Sequence, residues 1–131
     1  MGSIFTETQE AYLKNHKLAV LATGRQDGSP QVSLIAYHWD GTDIVIAPRR
    51  RSAKWKNALR QPNLALLVQD GSKQLIIYGK VEGIDEEPLR TELATRLWSN
   101  VFDDLDQVTS YIQKQRPILR ITPNKTFDSY A

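Results

Sequence analysis

Apolar residues in this chain come in short runs, each closed by turn-forming residues. KLAVLAT at 17–23 reads as a strand and is followed by RQDGSP, in which Asp27-Gly28 supplies the positive φ of a tight hairpin. QVSLIAYHW at 31–39 is rich in β-formers and predicts a second strand, with Asp40-Gly41 as the next turn and DIVIA at 43–47 as the third strand. NLALLVQ at 63–69 and KQLIIYGKVEGID at 73–85, joined at Asp70-Gly71, predict a fourth and fifth, the latter bent or bulged at Gly79 and Gly83. PILRIT at 117–122 predicts a sixth; the remaining NKTFDSYA has no clear period.

Four segments read as helices. Thr6 and Gln9 form a capping box ahead of 7–15. Ser52 caps 53–60, which Pro62 closes. Residues 86–99 open with acids and Pro88, and 104–115 offer a last helix. Neither repeat nor linker interrupts 1–131, so one domain is expected. The class is α+β: a six-stranded antiparallel split β-barrel with short flanking helices.

Composition narrows the function classes. Hydrophobic residues make up 40% and charged residues 24%, as in a soluble globular protein. No apolar run has the length of a membrane span, and the N-terminus lacks a secretory pattern. A cytoplasmic location is therefore expected. Cysteine is absent, which excludes disulfides and thiolate metal sites, and two separated histidines, His16 and His38, make no metal centre. Met1-Gly2 with Thr6 matches a myristoylation template and Asn124-Lys125-Thr126 a glycosylation template; both patterns are too short and common to carry a function.

Charge changes the picture more. The formal net charge is +2, yet Arg49, Arg50, Arg51, Lys54, Lys56 and Arg60 fall within APRRRSAKWKNALRQP with no acid among them. Without them the chain has 11 basic and 15 acidic residues, so the positive charge is local and points to one anion site. Arg50, Ser52 and Lys54 sit where a strand ends and a helix begins, and helix amides, a hydroxyl, a guanidinium and an ammonium converging there would hold a phosphate. Asn57 lies one turn on, placed to fix the helix or a neighbouring loop. A solvated cationic helix face is the bland alternative.

These segments resemble a known family. LAVLATGRQDGSPQVSLIAYHWDG, then DIVIAPRRRSAKWKNALRQPNLALLVQD with its R-x-S-x-K-x-x-N signature at Arg50, Ser52, Lys54 and Asn57, then IIYGKVEGID, are similar to the pyridoxamine 5'-phosphate oxidase-like split-barrel flavoproteins, and within them to the deazaflavin (coenzyme F420)-dependent oxidoreductases. The resemblance covers about residues 15–85. It implies a homodimer with cofactor sites at the interface. The phosphate would be held at Arg50, Ser52 and Lys54, and the ring near Gln31, Val32, Ser33, Ile46 and Ala47. Residues 74–78, including Gln74 and Tyr78, and the late helices would reach across from the partner. Leu34 and Ala58 depart from the family pattern, where proline and leucine are common.

The resemblance makes coenzyme F420 the expected cofactor, with FMN as the alternative, and its carboxylate-rich tail would give Arg49, Arg51, Lys56 and Arg60 something to meet. The implied activity is hydride transfer to an unsaturated small molecule in a pocket built by the late helices and tail; no catalytic residue is named. A non-catalytic flavin- or haem-binding protein is the alternative from another class. Nucleic acid and membrane partners are not expected, and Ser33, His38 and Asp43 lack the context of a hydrolase nucleophile. Trp98 and Phe102 read as core or dimer packing.

Overall fold

A computed structural model describes residues 3–129; Met1-Gly2, and with them the myristoylation template, lie outside the described residues. The elements in chain order are α1 (Glu7–Lys14), β1 (Leu18–Gly24), β2 (Pro30–Ala36), β3 (His38–Trp39), β4 (Ile44–Ile46), α2 (Ala53–Arg60), β5 (Asn63–Asp70), β6 (Lys73–Ile84), α3 (Leu89–Val101), α4 (Leu105–Gln113) and β7 (Ile118–Ser129). The described strands make one antiparallel sheet of order β2-β1-β5-β6-β7-β4-β3. The three Asp-Gly turns form as expected, with Gly28, Gly41 and Gly71 at φ 88°, 98° and 61°.

The architecture is the expected curled antiparallel sheet, but it has seven strands, not six. The run at 31–39 breaks at Tyr37, whose N–H donates to the Lys17 carbonyl at 2.9 Å and whose hydroxyl donates to the Leu13 carbonyl at 2.6 Å. Residues before the break form one edge of the sheet beside β1. Those after it form the opposite edge beside β4. A single residue, Tyr37, thus carries the chain from one edge to the other, which requires the sheet to curl until its edges meet. Burial pushes the Tyr37 hydroxyl's pKa well above its ordinary value, so it is a permanent donor at this seam.

β7 runs on through the segment that had no clear period, pairing along β6 from Ile118↔Ile84 to Ser129↔Gln74. Its register shifts between Tyr78 and Gly79. A Cβ at Gly79 would lie 2.7 Å from the Thr122 carbonyl oxygen, so the glycine there is a steric necessity.

Two apolar clusters fill the molecule. The interior of the curled sheet holds Leu21, Ile44, Ile46, Leu66, Leu75, Ile77, Leu119 and Ile121, closed by Leu13 of α1 and Ala58 of α2. A second cluster joins Val45, Ala47, Ile84 and Ile118 to Leu93, Ala94, Leu97, Trp98 and Val108 of α3 and α4. β4 therefore divides its side chains: Ile44 and Ile46 enter the barrel, while Val45 and Ala47 face the helices. The α3–α4 pair is thereby set beside the strand-to-helix turn that follows β4.

Candidate functional site

The turn from β4 into α2 is built locally. Ser52 is extended at φ −73°, ψ 152°; its Oγ accepts from the Trp55 amide at 3.3 Å and donates to the Arg49 carbonyl at 2.7 Å. The serine is thus the expected N-cap. The amides of Ala53 and Lys54 precede any residue that could accept from them within the helix, so this end keeps its donor character.

A cavity of about 640 Å³ opens beside that turn. One wall is apolar and comes from the strands: Leu34, Ile35 and Ala36 of β2, and Ala47. A second is cationic: Arg49, Arg51 and Lys54, with Ser52 between them. The third comes from α3, α4 and the residue group after α4: Trp98, Phe102, Tyr111 and Arg116. Four of the lining residues are cations and none is an acid, and like charges so placed await an anion.

The ten sequence-predicted site residues divide. Arg51, Ser52, Lys54 and Ala47 line the cavity. Arg50 does not: its Nε and Nη2 donate to the Asp85 carboxylate at 2.9 and 2.6 Å. That hydrogen-bonded pair raises Arg50's pKa and lowers Asp85's. Arg50 instead lines a neighbouring groove with Arg49, Arg51, Lys114 and Arg116.

Asn57 is buried and acts as a mount. Its Nδ2 donates at 3.3 Å to both Thr23 Oγ1 and Gln31 Oε1, and its Oδ1 accepts from Arg60 Nη2 at 2.8 Å. Gln31 also accepts from Thr23 Oγ1 at 3.2 Å, so its side chain belongs to this same network. Val32 is exposed on the outer face of β2, Ile46 points into the barrel, and Ser33 turns inward with a buried hydroxyl that has no partner among the described residues. Of the other basic residues of the segment, Lys56 and Arg60 lie on the far side of α2, in a groove shared with Arg25.

Sequence reasoning missed Arg116 and Tyr111 and undervalued Leu34, Trp98 and Phe102. Arg116 is 67 positions from Arg49, and only the packing of α4 against α3 brings them together. Burial first, and then the Arg49 guanidinium, push Arg116's pKa down, with Tyr111 acting the other way. Lys114 Nζ lies 3.8 Å from the Tyr111 ring centroid. Of the elements expected to build the pocket, the late helices line this cavity and, among the described residues, the tail after Thr122 does not.

His16 and His38 are elsewhere, beside a smaller cavity with Leu13, Lys14, Trp39 and Asn100. Among the described residues no group of three metal-ligating side chains exists, and no helix is long and apolar enough to cross a membrane.

The pyridoxamine 5'-phosphate oxidase family profile matches residues 5–130. Among solved structures, the conserved hypothetical protein Rv2991 from Mycobacterium tuberculosis is similar at 21% identity and TM-score 0.80, covering 95% of this chain and 84% of its own. An F420 reductase is similar at 23% identity and TM-score 0.73, covering 94% and 98%. HutZ, a heme storage protein from Vibrio cholerae, is similar at 15% identity and TM-score 0.76, covering 90% and 89%. Similarity at these identities establishes the fold.

Proposed function

Because this chain belongs to the pyridoxamine 5'-phosphate oxidase family, we propose that it is an oxidoreductase that binds coenzyme F420, with FMN as the alternative, and reduces an unsaturated small molecule. The observation that carries the reading is the cavity itself: Arg49, Arg51 and Lys54 at one end, an apolar strand wall beside them, and no carboxylate in the lining.

These residues fit a phosphorylated tricyclic group. The ring needs an apolar surface, which Leu34 and Ala36, on one face of β2, offer together with Ala47. The phosphate needs concentrated positive charge, which Lys54 and Arg51 provide beside the first-turn amides of α2. Ser52 already gives its hydrogen to the Arg49 carbonyl, so it shapes the turn and offers an anion nothing unless that bond is exchanged. Arg50 has a carboxylate partner and would have to leave or share it. When bound, the reduced coenzyme supplies a hydride equivalent. The chain binds the anionic arm, shields the ring from water with its apolar wall, and presents the substrate from the α3–α4 side. Solvent can supply the proton, and no residue is assigned to it.

The same reading makes the protein a homodimer. Leu18, Val32, Leu34, Tyr78 and Phe127 are 43–67% exposed and share the outer face of the sheet. So large an apolar face fits burial against a second copy. Tyr78 would then approach the site from the partner. A flavin- or haem-binding protein without catalysis is a second reading, favoured by the likeness to a heme storage protein.

The test is titration of the purified protein with F420 and with FMN, followed by fluorescence. Binding of F420 at about micromolar Kd, tighter than FMN, is the expected result. A folded protein that binds neither contradicts the proposal.

A further inference from the structure

Helix α4 ends abruptly. Gln115 takes φ 52° and its amide closes on the Ile112 carbonyl at 3.1 Å, and Pro117 follows. The residue between them, Arg116, is consequently presented at one fixed place. Its backbone is also clamped: Arg90, 3% exposed, donates Nη1 to the Arg116 carbonyl at 2.9 Å. Arg90 is itself held by Glu87, at 2.8 Å from Nε, and by Thr91 Oγ1, at 2.8 Å from Nη2. A buried guanidinium with carboxylate and hydroxyl partners thus fixes the carbonyl of a second arginine.

The second guanidinium has no such partner. Arg50, Arg90 and Arg120 each pair with a carboxylate; Arg116 makes no ion pair among the described residues. It lies over the rings of Trp98 and Tyr111, at 5.9 and 5.5 Å from their centroids, facing the same cavity as Arg49. Those rings and Phe102 form one aromatic group, with centroids 4.6 Å apart for Trp98–Tyr111, 4.7 Å for Phe102–Tyr111, and 5.9 Å at 21° for Trp98–Phe102. An arginine stacked on aromatics keeps its fork in a set plane, ready for a bidentate anion.

We propose that Arg116 and the Trp98–Phe102–Tyr111 group form a second anion subsite, separate from the Ser52–Lys54 turn, that selects a planar ligand carrying a carboxylate. Calling that ligand the substrate rests on the cofactor reading above; the affinity for such an anion does not. The guanidinium meets the carboxylate, and the ring or conjugated system of the ligand lies on Phe102 and Tyr111. With the coenzyme's phosphate at Lys54, the α3–α4 wall is the part of the cavity left for the substrate.

The probes are trans-cinnamate and its neutral amide, trans-cinnamamide. Each is titrated against the full-length protein by calorimetry, in saturating inorganic phosphate to occupy the Lys54 end. Cinnamate is expected to bind about tenfold tighter than the amide or better, and Arg116→Gln to remove that preference by weakening the acid alone. Arg116→Lys should restore part of it, and Phe102→Ala should weaken both ligands. The Arg116 side chain makes no hydrogen bond among the described residues, so the variant should melt near the wild-type temperature. Should it not, the folded Phe102→Ala protein carries the test, and unchanged affinity for both ligands there overturns the subsite.

Equal affinity for acid and amide, an unchanged Arg116→Gln, or displacement of cinnamate by phosphate overturns the subsite. Titration of Arg116→Gln with the coenzyme separates the two proposals. Coenzyme affinity within about threefold of wild type supports separate sites, and a parallel loss of coenzyme and cinnamate overturns them. Failure of the wild type to bind coenzyme, with the acid preference intact, removes the cofactor reading and leaves the subsite standing.

Discussion

The approach to α2 and its N-terminal turn behave unlike the rest of that helix, although they share one short basic segment. In the first part, Arg49, Arg51 and Lys54 face a cavity without a carboxylate to meet them, arranged by the Ser52 cap. In the second, Asn57 bonds to Thr23 and Gln31, Arg60 donates to Asn57 and to the Gly24 carbonyl, and Trp55 and Leu59 lie on β6. One part is left for a ligand and the other is tied to the barrel. The signature R-x-S-x-K-x-x-N is therefore composite: the lysine faces the cavity, the serine and asparagine set the helix in place, and the arginine already has a partner in Asp85.

The mount can be broken without touching the grip. A Cβ at Gly83 would stand 2.6 Å from Leu59 Cδ2 and 2.8 Å from Trp55 Cη2, which is closer than real contacts allow. Gly83→Val should therefore displace the Leu59 and Trp55 side chains that seat α2 on β6 and destabilise the protein by about 2 kcal/mol, read as a drop in melting temperature. Coenzyme affinity should fall with it, since the cavity wall moves with the helix; a Gly83→Val protein of wild-type stability would show that α2 is not seated by this contact.

A smaller effect is expected at Asn57. Asn57→Ala leaves Thr23 and Gln31 bonded to each other but removes the helix's tie to both, at about 1.5 kcal/mol by chemical denaturation. Coenzyme affinity, measured well below the melting temperature, should stay within about twofold. A loss of affinity with unchanged stability would instead make Asn57 a ligand contact.

Much of this was legible in the chain. The hairpin turns, the Thr6–Gln9 capping box and the limits of α2 at 53–60 follow from local chemistry, and the structure has them. Four things were not legible. The break at Tyr37 depends on which edge each half of an apolar run joins, and periodicity is the same either way. The extent of β7 past 122 depends on β6 being there to receive it, since a strand of mixed polarity has no pattern of its own. Arg116 became part of the site through the docking of α4 and the Arg90 clamp, both long-range. The pairing of Arg50 with Asp85, 35 positions away, escaped for the same reason.

The central claim is that the β4–α2 turn grips the anionic arm of the coenzyme, and Lys54→Ala tests it most directly. Lys54 makes no ion pair among the described residues, so its loss should leave the melting temperature unchanged. The account predicts a coenzyme Kd raised about tenfold or more, measured by fluorescence titration at fixed ionic strength. A folded Lys54→Ala protein that binds the coenzyme as tightly as wild type would contradict it.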